Sequence, residues 1–377
     1  MVGKKVYNII RFFLVILWEK DGEIMKIFHC PTKIYTGDKA LDVLKTLKAD
    51  RVLLVTDAFF SKSGKAMEIG KLIENAEVKV FDKVLPDPTA ELVAEGAALC
   101  AQFRPDLLIA LGGGSPMDCA KAIRLTSGLS MDFYAIPTTA GSGSEVTSFS
   151  VLTKDGVKHP LVDSSLRPDA AILDSSLLVS LPASLAADTG MDLLAHCVEA
   201  VGAINRNEFT DALAFYGAAT ALRELAPAFS GDVGARGRLL EAATMAGMAF
   251  DNAGLGLCHA AAHVLGGAYH LPHGRLCAML LPHVMTVNTS AFPQYVRLAK
   301  LCGVSSATER LSLRSLTAAI VRLRTALGLP ATLRQAGIEP ENITELIPQI
   351  MADGCCKTNP DPVDEHMVKQ VLQAVSG

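Results

Sequence analysis

The segment Cys258 to Arg275 reads Cys-His-Ala-Ala-Ala-His-Val-Leu-Gly-Gly-Ala-Tyr-His-Leu-Pro-His-Gly-Arg. It carries four of the chain's nine histidines: His259, His263, His270 and His273. Neutral imidazole is the commonest side-chain ligand for transition metals. His259 and His263 are four residues apart, which places them on one face of a helix. His273 falls in a Pro-His-Gly turn, where the chain can fold back toward that helix. Upstream, Asp192-Leu-Leu-Ala-His196 repeats the four-residue spacing with a carboxylate and an imidazole. Read together, these residues predict a divalent metal site of three histidines and one aspartate, with an open position for substrate. Either pair alone could be chance in an Ala-rich helix, but two pairs and the turn together argue against that. His270 has no partner at ligand spacing and reads as structural or near the site.

A second chemistry is written earlier in the chain. Leu111 ends a strand-like run and passes into Gly112-Gly113-Gly114-Ser115-Pro116-Met117-Asp118-Cys119-Ala120-Lys121. Glycines allow close backbone approach to a pyrophosphate, and a helix starting near Pro116 offers unpaired N–H groups and a positive dipole end. The pattern is neither G-x-G-x-x-G nor a Walker loop, and an ordinary strand-to-helix turn is the competing reading. Pro137-Thr138-Thr139-Ala140-Gly141-Ser142-Gly143-Ser144-Glu145-Val146-Thr147 is a second polar, Gly-rich segment that could serve the other side of a dinucleotide. Asp57 stands at the carboxyl end of a strand, where an acidic residue can hold ribose hydroxyls and repel a 2′-phosphate. NAD is therefore expected over NADP. The alternative for Asp57 is a helix N-cap.

These groups need elements to position them. Arg51–Asp57, Glu77–Leu85, Leu107–Leu111, Tyr134–Pro137 and Ala170–Leu173 read as strands, and Ala90–Phe103 as a helix. Continuous apolar strands alternating with helices predict a parallel sheet covered on both faces. After Leu181-Pro182 strand-like runs cease. Segments 184–203, 207–228, 234–253, 256–268, 277–289, 293–303, 310–328 and 364–375 have apolar residues at helical spacing. The fold class expected is thus an α/β, Rossmann-like dinucleotide-binding domain over residues 25–181, followed by an all-α metal-binding domain over 182–377.

Composition narrows the function. The chain has 377 residues, half of them hydrophobic and a fifth charged, which fits a packed globular protein of two domains. The formal net charge of -4, with no basic stripe, gives no reason to expect a nucleic-acid partner. Nine cysteines without a Cys-x-x-Cys pair fit free thiols in a reducing cytoplasm. Near the N-terminus, Lys4, Lys5 and Arg11 precede the apolar run Phe12–Trp18. That run is too short to span a bilayer, so no integral membrane protein is expected. Residues 1–24 read as an upstream extension outside the fold, with a first strand opening at Lys26-Ile27-Phe28. The alternative is an amphipathic helix that docks on a partner.

The motifs in this order resemble the iron-containing (group III) alcohol dehydrogenase family. The residues carrying the resemblance are Gly112–Ser115 with Asp118 and Lys121, Ile136–Thr147, Lys158-His159-Pro160, Thr189–Asp192 with His196 and Glu199, His259–His273, and Thr358-Asn359-Pro360. Pro86–Thr89, Phe209–Leu213 and His270–Gly274 are similar to its short-chain branch, which includes enzymes of bacterial propanediol-utilisation microcompartments. The resemblance implies Asp192, His196, His259 and His273 as ligands of Fe(II), with Zn(II) satisfied by the same set, and His263 as the proton-transfer residue. It implies Asp57, Asp87, Gly113, Gly114, Ser115, Asp118, Thr138, Thr139, Ser142 and Lys158 along NAD, and Phe250 beside the substrate. Asp87 departs from the family, where many members carry Asn. The implied activity is interconversion of short-chain alcohols and aldehydes by a cytoplasmic homodimer, with microcompartment partners. Two rivals remain at this stage: a dehydroquinate synthase-like lyase, and a non-catalytic interaction protein.

Overall fold

The computed structural model describes residues 25–154 and 157–377. The extension read for residues 1–24 lies outside them. The strands are β1 (Lys33–Thr36), β2 (Arg51–Asp57), β3 (Glu77–Val84), β4 (Leu107–Gly112), β5 (Asp132–Pro137), β6 (Phe149–Lys154), β7 (Val157–Val162) and β8 (Ala170–Leu173). Six form one parallel sheet in the order β1-β8-β5-β4-β2-β3, while β6 and β7 form an antiparallel hairpin. Helices α1 (Ala58–Lys62), α2 (Lys65–Gly70), α3 (Ala90–Phe103) and α4 (Gly114–Ser127) connect the strands.

Both faces of the sheet are apolar because successive side chains serve different cores. Leu53, Val55, Leu108, Ala110, Phe133 and Ala135 pack with Val93, Cys100, Met117 and Ile123 of α3 and α4. Val52, Leu54, Ile109, Leu111 and Ile136 face the other way, into a core that continues without a break into the C-terminal helices. The strand order reverses between β2 and β4. Open parallel sheets bind ligands outside the carboxyl ends of strands at such a point. Asp57 and Gly112 end those two strands, and Thr56 Oγ1 donates to Leu111 O at 2.8 Å, tying the ends together.

The C-terminal part is helical: α5 (Ala183–Gly202), α6 (Glu208–Phe229), α7 (Val233–Ala253), α8 (Leu257–Tyr269), α9 (His273–Val287), α10 (Phe292–Leu301), α11 (Glu309–Ala326), α12 (Ile347–Ala352) and α13 (Glu365–Ser376). Among the described residues no strand follows β8. Helix α5 is buried nearly all round and packs on α6, α7 and α9. Along one stripe of this helix lie four buried polar side chains, Asp188, Asp192, His196 and Glu199.

Two expectations are corrected and one element is added. Lys26-Ile27-Phe28 is not a strand; Lys26 Nζ donates to the carbonyls of Ile204 and Arg206, and Phe28 stacks on Phe209. That segment is spent on the helical part, and the sheet begins at Lys33. His273 is not in a turn: it is the first residue of α9, preceded by Pro272. The β6–β7 hairpin was not foreseen, because its strands are only partly buried and lack a continuous apolar run.

Close approach of α9 to α5 depends on Gly274. A Cβ there would lie 1.9 Å from Asp188 O and 3.1 Å from Asp192 Cβ. We expect Gly274→Ala to push the start of α9 off α5. Overpacking of this kind costs about 1–3 kcal/mol, and the displacement should move His273 away from Asp192. Thermal unfolding and metal content of the purified variant check this; an unchanged melting temperature with full metal would refute it.

Candidate functional site

The polar stripe of α5 meets the N-terminal turns of α8 and α9. Asp192 Oδ1 lies 3.6 Å from His259 Nε2, 3.5 Å from His273 Nε2 and 4.0 Å from His196 Nε2. These separations are too long for hydrogen bonds. The two shorter ones match ligand atoms around one ion, since donors about 2.0–2.2 Å from a metal in a tetrahedral arrangement stand roughly 3.3–3.6 Å apart; the His196 separation is somewhat longer. Asp192 Oδ1 and His259 Nε2 are buried and have no hydrogen-bond partner among the described residues. An uncompensated buried carboxylate oxygen is costly, and a divalent cation among these donors removes the cost. The donor set therefore fits a metal such as iron or zinc.

The three histidines are not equivalent. The imidazoles of His259 and His273 belong to the tight donor group, in which Asp192, His259, His273 and Cys277 all offer atoms within 4.8 Å of one another. His196 stands slightly apart, its ring stacked on those of His259 and Phe250 with centroids 4.4 Å away in each case. Burial lowers the pKa of His196 to about 4, with the Asp192 charge opposing it and His259 adding to it. Burial likewise pushes His273 well below its ordinary value, with the Asp192 charge opposing it. Both are thus held neutral, the state that ligates metals. At His259 burial acts in the same direction, but the carboxylates of Asp192 and Glu199 outweigh it and raise the group, so a divalent ion would bind there by displacing the Nε2 proton.

Glu199 explains how His259 is aimed. Its Oε1 accepts from Cys258 N at 2.7 Å, and its Oε2 accepts from Gly256 N at 3.1 Å and His259 N at 3.3 Å. The same Oε2 accepts from His259 Nδ1 at 2.6 Å, so the proton sits on Nδ1 and Nε2 is left facing Asp192. The carboxylate thus satisfies the first turn of α8 and sets a tautomer in one stroke. Asn359 Oδ1 accepts from Leu257 N at 3.0 Å and completes the cap.

His263 lies one turn further along α8. Its ring stacks on that of His273, with centroids 5.3 Å apart, and its Nδ1 donates to Asp353 Oδ2 at 3.0 Å. Burial would raise Asp353, but the His263 contact and the Cys355 N–H outweigh it and hold the carboxyl below its usual range. Phe250, on α7, closes one side with Phe149 behind it, ring centroids 6.4 Å apart.

The residues expected along a dinucleotide gather around the switch point. The 112–115 turn and the 138–142 loop touch through their glycines: a Cβ on Gly113 would meet Thr139 Oγ1 at 3.1 Å, and one on Gly114 would meet Ser142 Cβ at 3.4 Å. The missing side chain at Gly113 therefore lets the two loops close on each other, while at Gly114 a Cβ would make only ordinary contact. Gly113, Gly114, Ser115, Thr139 and Ser142 keep partial exposure, while Thr138 is buried. Lys158 Nζ pairs with Asp87 Oδ1 at 2.7 Å, joining the β6–β7 hairpin to the loop after β3. The hairpin also packs on α8.

Two expected cofactor contacts are otherwise engaged. Asp57 Oδ1 accepts from Phe59 N at 2.9 Å and Phe60 N at 3.2 Å, so it does cap α1, the alternative seen in the sequence. Asp118 turns inward: Oδ1 accepts from Ser144 Oγ at 2.8 Å and Oδ2 from Val151 N at 3.1 Å. Beside it, buried Lys121 donates from Nζ to Ser144 Oγ, Thr147 Oγ1 and Phe149 O, and burial lowers it to about 8. Asp118 and Lys121 shape the loop from behind.

Sequence reasoning missed Cys277, the orienting role of Glu199, and Asp353. Cys277 was legible, four residues after His273 on the same helix. Glu199 was visible only as part of a motif, and no local signal ties Asp353 to His263 across the intervening chain.

We expect His259→Ala and His273→Ala each to lose bound metal. Glu199→Gln should keep the volume but face N–H donors with an amide, lowering metal affinity about 10–100-fold. Elemental analysis and competition against a chelator measure this. Full occupancy in either histidine variant would overturn the assignment.

Comparison with known proteins places this geometry. A profile for iron-containing alcohol dehydrogenase matches residues 31–175, and the C-terminal profile of the Fe-containing alcohol dehydrogenase family matches residues 186–376. A 1-propanol dehydrogenase of Citrobacter freundii is 39% identical over 367 residues, covering 93% of this chain and 99% of that protein. An NADPH-dependent butanol dehydrogenase of Clostridium saccharobutylicum is 36% identical over 380 residues, covering 93% and 98%. The structure of an iron-containing alcohol dehydrogenase from Thermococcus thioreducens aligns with a TM-score of 0.87 at 32% identity, covering 93% and 99%. The chain belongs to the iron-containing alcohol dehydrogenase family.

Proposed function

We propose that this protein is a metal-dependent, NAD(H)-linked alcohol dehydrogenase that interconverts short-chain primary alcohols and aldehydes. The observation that carries it is the set of three imidazole Nε2 atoms around the unpartnered Asp192 Oδ1. Propanol and butanol dehydrogenases among the relatives support the substrate class. Asp192, His196, His259 and His273 would hold the ion. When bound, a divalent metal supplies a Lewis acid for the alcohol or carbonyl oxygen, and NAD supplies the hydride acceptor.

The chain's own residues do the rest. Glu199 keeps His259 in the ligating tautomer. Phe250, stacked on His196, gives the substrate chain an apolar wall. Gly113, Gly114, Ser115, Thr138, Thr139 and Ser142 line the dinucleotide, and the Asp87–Lys158 pair borders it. His263 takes or gives the proton that accompanies hydride transfer. Arg275 is engaged by Asp188, Nε to Oδ1 at 3.1 Å and an Nη to Oδ2 at 2.9 Å. A dehydroquinate synthase-like lyase needs free basic groups for a phosphate or carboxylate substrate, and Arg275, the basic residue beside the ligand segment, is taken up by this pairing. No helix among the described residues is long and apolar enough to cross a membrane. The reading extends to a cytoplasmic homodimer with microcompartment partners, supported by the short-chain motifs alone.

The test is a panel of C2–C4 alcohols and aldehydes with NAD(H) and NADP(H), on Fe(II)- and Zn(II)-reconstituted protein. NADH should form in step with aldehyde; a fully metallated protein that reduces neither nucleotide with any alcohol would sink the proposal. Asp57→Gly should improve the use of NADP relative to NAD. An unchanged ratio of specificity constants would mean that Asp57 only caps α1. His263→Ala should retain metal while turnover falls about a hundredfold or more; loss of metal would make it a ligand instead.

A further inference from the structure

Asp353 follows α12 and is mostly buried, its side chain 13% exposed. Its two oxygens are divided between two tasks. Oδ1 accepts from Cys355 N at 2.8 Å and so caps the turn Gly354–Thr358, while Oδ2 meets His263 Nδ1 at 3.0 Å. An ionised carboxylate can only accept, so the Nδ1 of His263 must carry the proton. In the neutral ring that leaves Nε2 bare. The ring plane is fixed by a second contact, the stack on His273 with an interplanar angle of 17°. A free surface imidazole would have neither restraint.

We infer that Asp353 is a positioning residue: through Nδ1 it holds His263 in the one tautomer and ring orientation that leaves Nε2 as proton acceptor. This rests on the proton-transfer role proposed for His263 above. In alcohol oxidation the hydroxyl O–H bond breaks and its proton passes to Nε2. The carbinol C–H bond breaks with its electron pair, which passes to NAD as hydride. The product is the aldehyde, and the imidazolium so formed is stabilised by its Nδ1–H bond to Asp353. Reduction runs the same transfers in reverse. Asp353 touches neither substrate nor cofactor in this scheme.

The experiment compares two substitutions in the full-length, metal-loaded enzyme. Asp353→Asn keeps the volume and the capping oxygen but turns an amide N–H₂ toward Nδ1, which favours the opposite tautomer. Asp353→Ser keeps a capping hydroxyl and removes the contact, so it tests the same point should the first variant fold poorly. Long-range ¹H–¹⁵N correlation on the zinc-loaded protein reads the tautomer directly, with the His263 signals identified by their absence in His263→Ala. We expect wild type to show the proton on Nδ1 and Asp353→Asn to show it on Nε2. Both variants should keep full metal, with KM within about twofold and kcat down about 10–100-fold. Adding Asp353→Asn to His263→Ala should slow the enzyme no further, and Asp353→Glu should recover part of kcat. Unchanged kcat in both variants, while His263→Ala is slow, would overturn the inference and leave the role of His263 standing. Unchanged kcat in His263→Ala would instead overturn that role, and the inference with it.

Discussion

Helix α5 must bury Asp188, Asp192, His196 and Glu199 in the middle of an apolar core, and the arrangement of the helical half follows from compensating them. Leaving one ion of a buried pair without its partner costs about 3–5 kcal/mol, so each group dictates what packs against it. Glu199 draws in the N-terminus of α8, whose free N–H groups and positive dipole end suit a carboxylate. Asp188 draws in the start of α9 through the two-pronged Arg275 pair. Asp192, between them, is left with three imidazole nitrogens nearby and, among the described residues, no hydrogen-bond partner for its Oδ1. The geometry that makes a metal site is the remainder after its two neighbours on the stripe have been satisfied by protein.

The same logic joins the helical half to the sheet. Asp251 of α7 is buried; its Oδ2 takes Arg167 Nε at 2.9 Å and an Arg167 Nη at 2.6 Å, and its Oδ1 takes Ser148 N and Oγ. Arg167 precedes β8 and Ser148 precedes β6, so one aspartate of the helical part pins two segments of the α/β part. Lys121 and Asp118 pin the 144–151 stretch from the other side. Together these bonds set the 138–142 loop between the glycine turn and α5. The cofactor cleft and the metal cluster are thereby held by charge-assisted hydrogen bonds to buried groups, each worth about 1.5–3 kcal/mol.

Much of this was legible in the sequence because it depends on period and local chemistry. Strands such as Arg51–Asp57 and Ala170–Leu173 were bounded to the residue, since a short branched apolar run between polar ends has few other readings. The four-residue spacing of Asp192 with His196 and of His259 with His263 placed each pair on a helix. The segment Lys26–Phe28 misled because Phe28 is used on Phe209 and Lys26 on the α5–α6 loop, and no periodicity separates an edge strand from an extended arm. His273 misled because proline marks a turn and a first helical position equally well.

What the sequence determined by itself, then, is which residue types stand at which helical or strand spacing: the parallel sheet, the helical half, and a set of ligands waiting for a partner. What only the tertiary structure decided is how those groups divide the work. His259 received its tautomer from Glu199, Asp118 was turned inward to Ser144 and Val151, and His263 was handed to an aspartate ninety positions away. The physical reason is that a spacing rule speaks only to neighbours on one element. The partner that fixes a buried proton or charge comes from whichever distant segment the core brings into contact, and that depends on the packing of the whole chain.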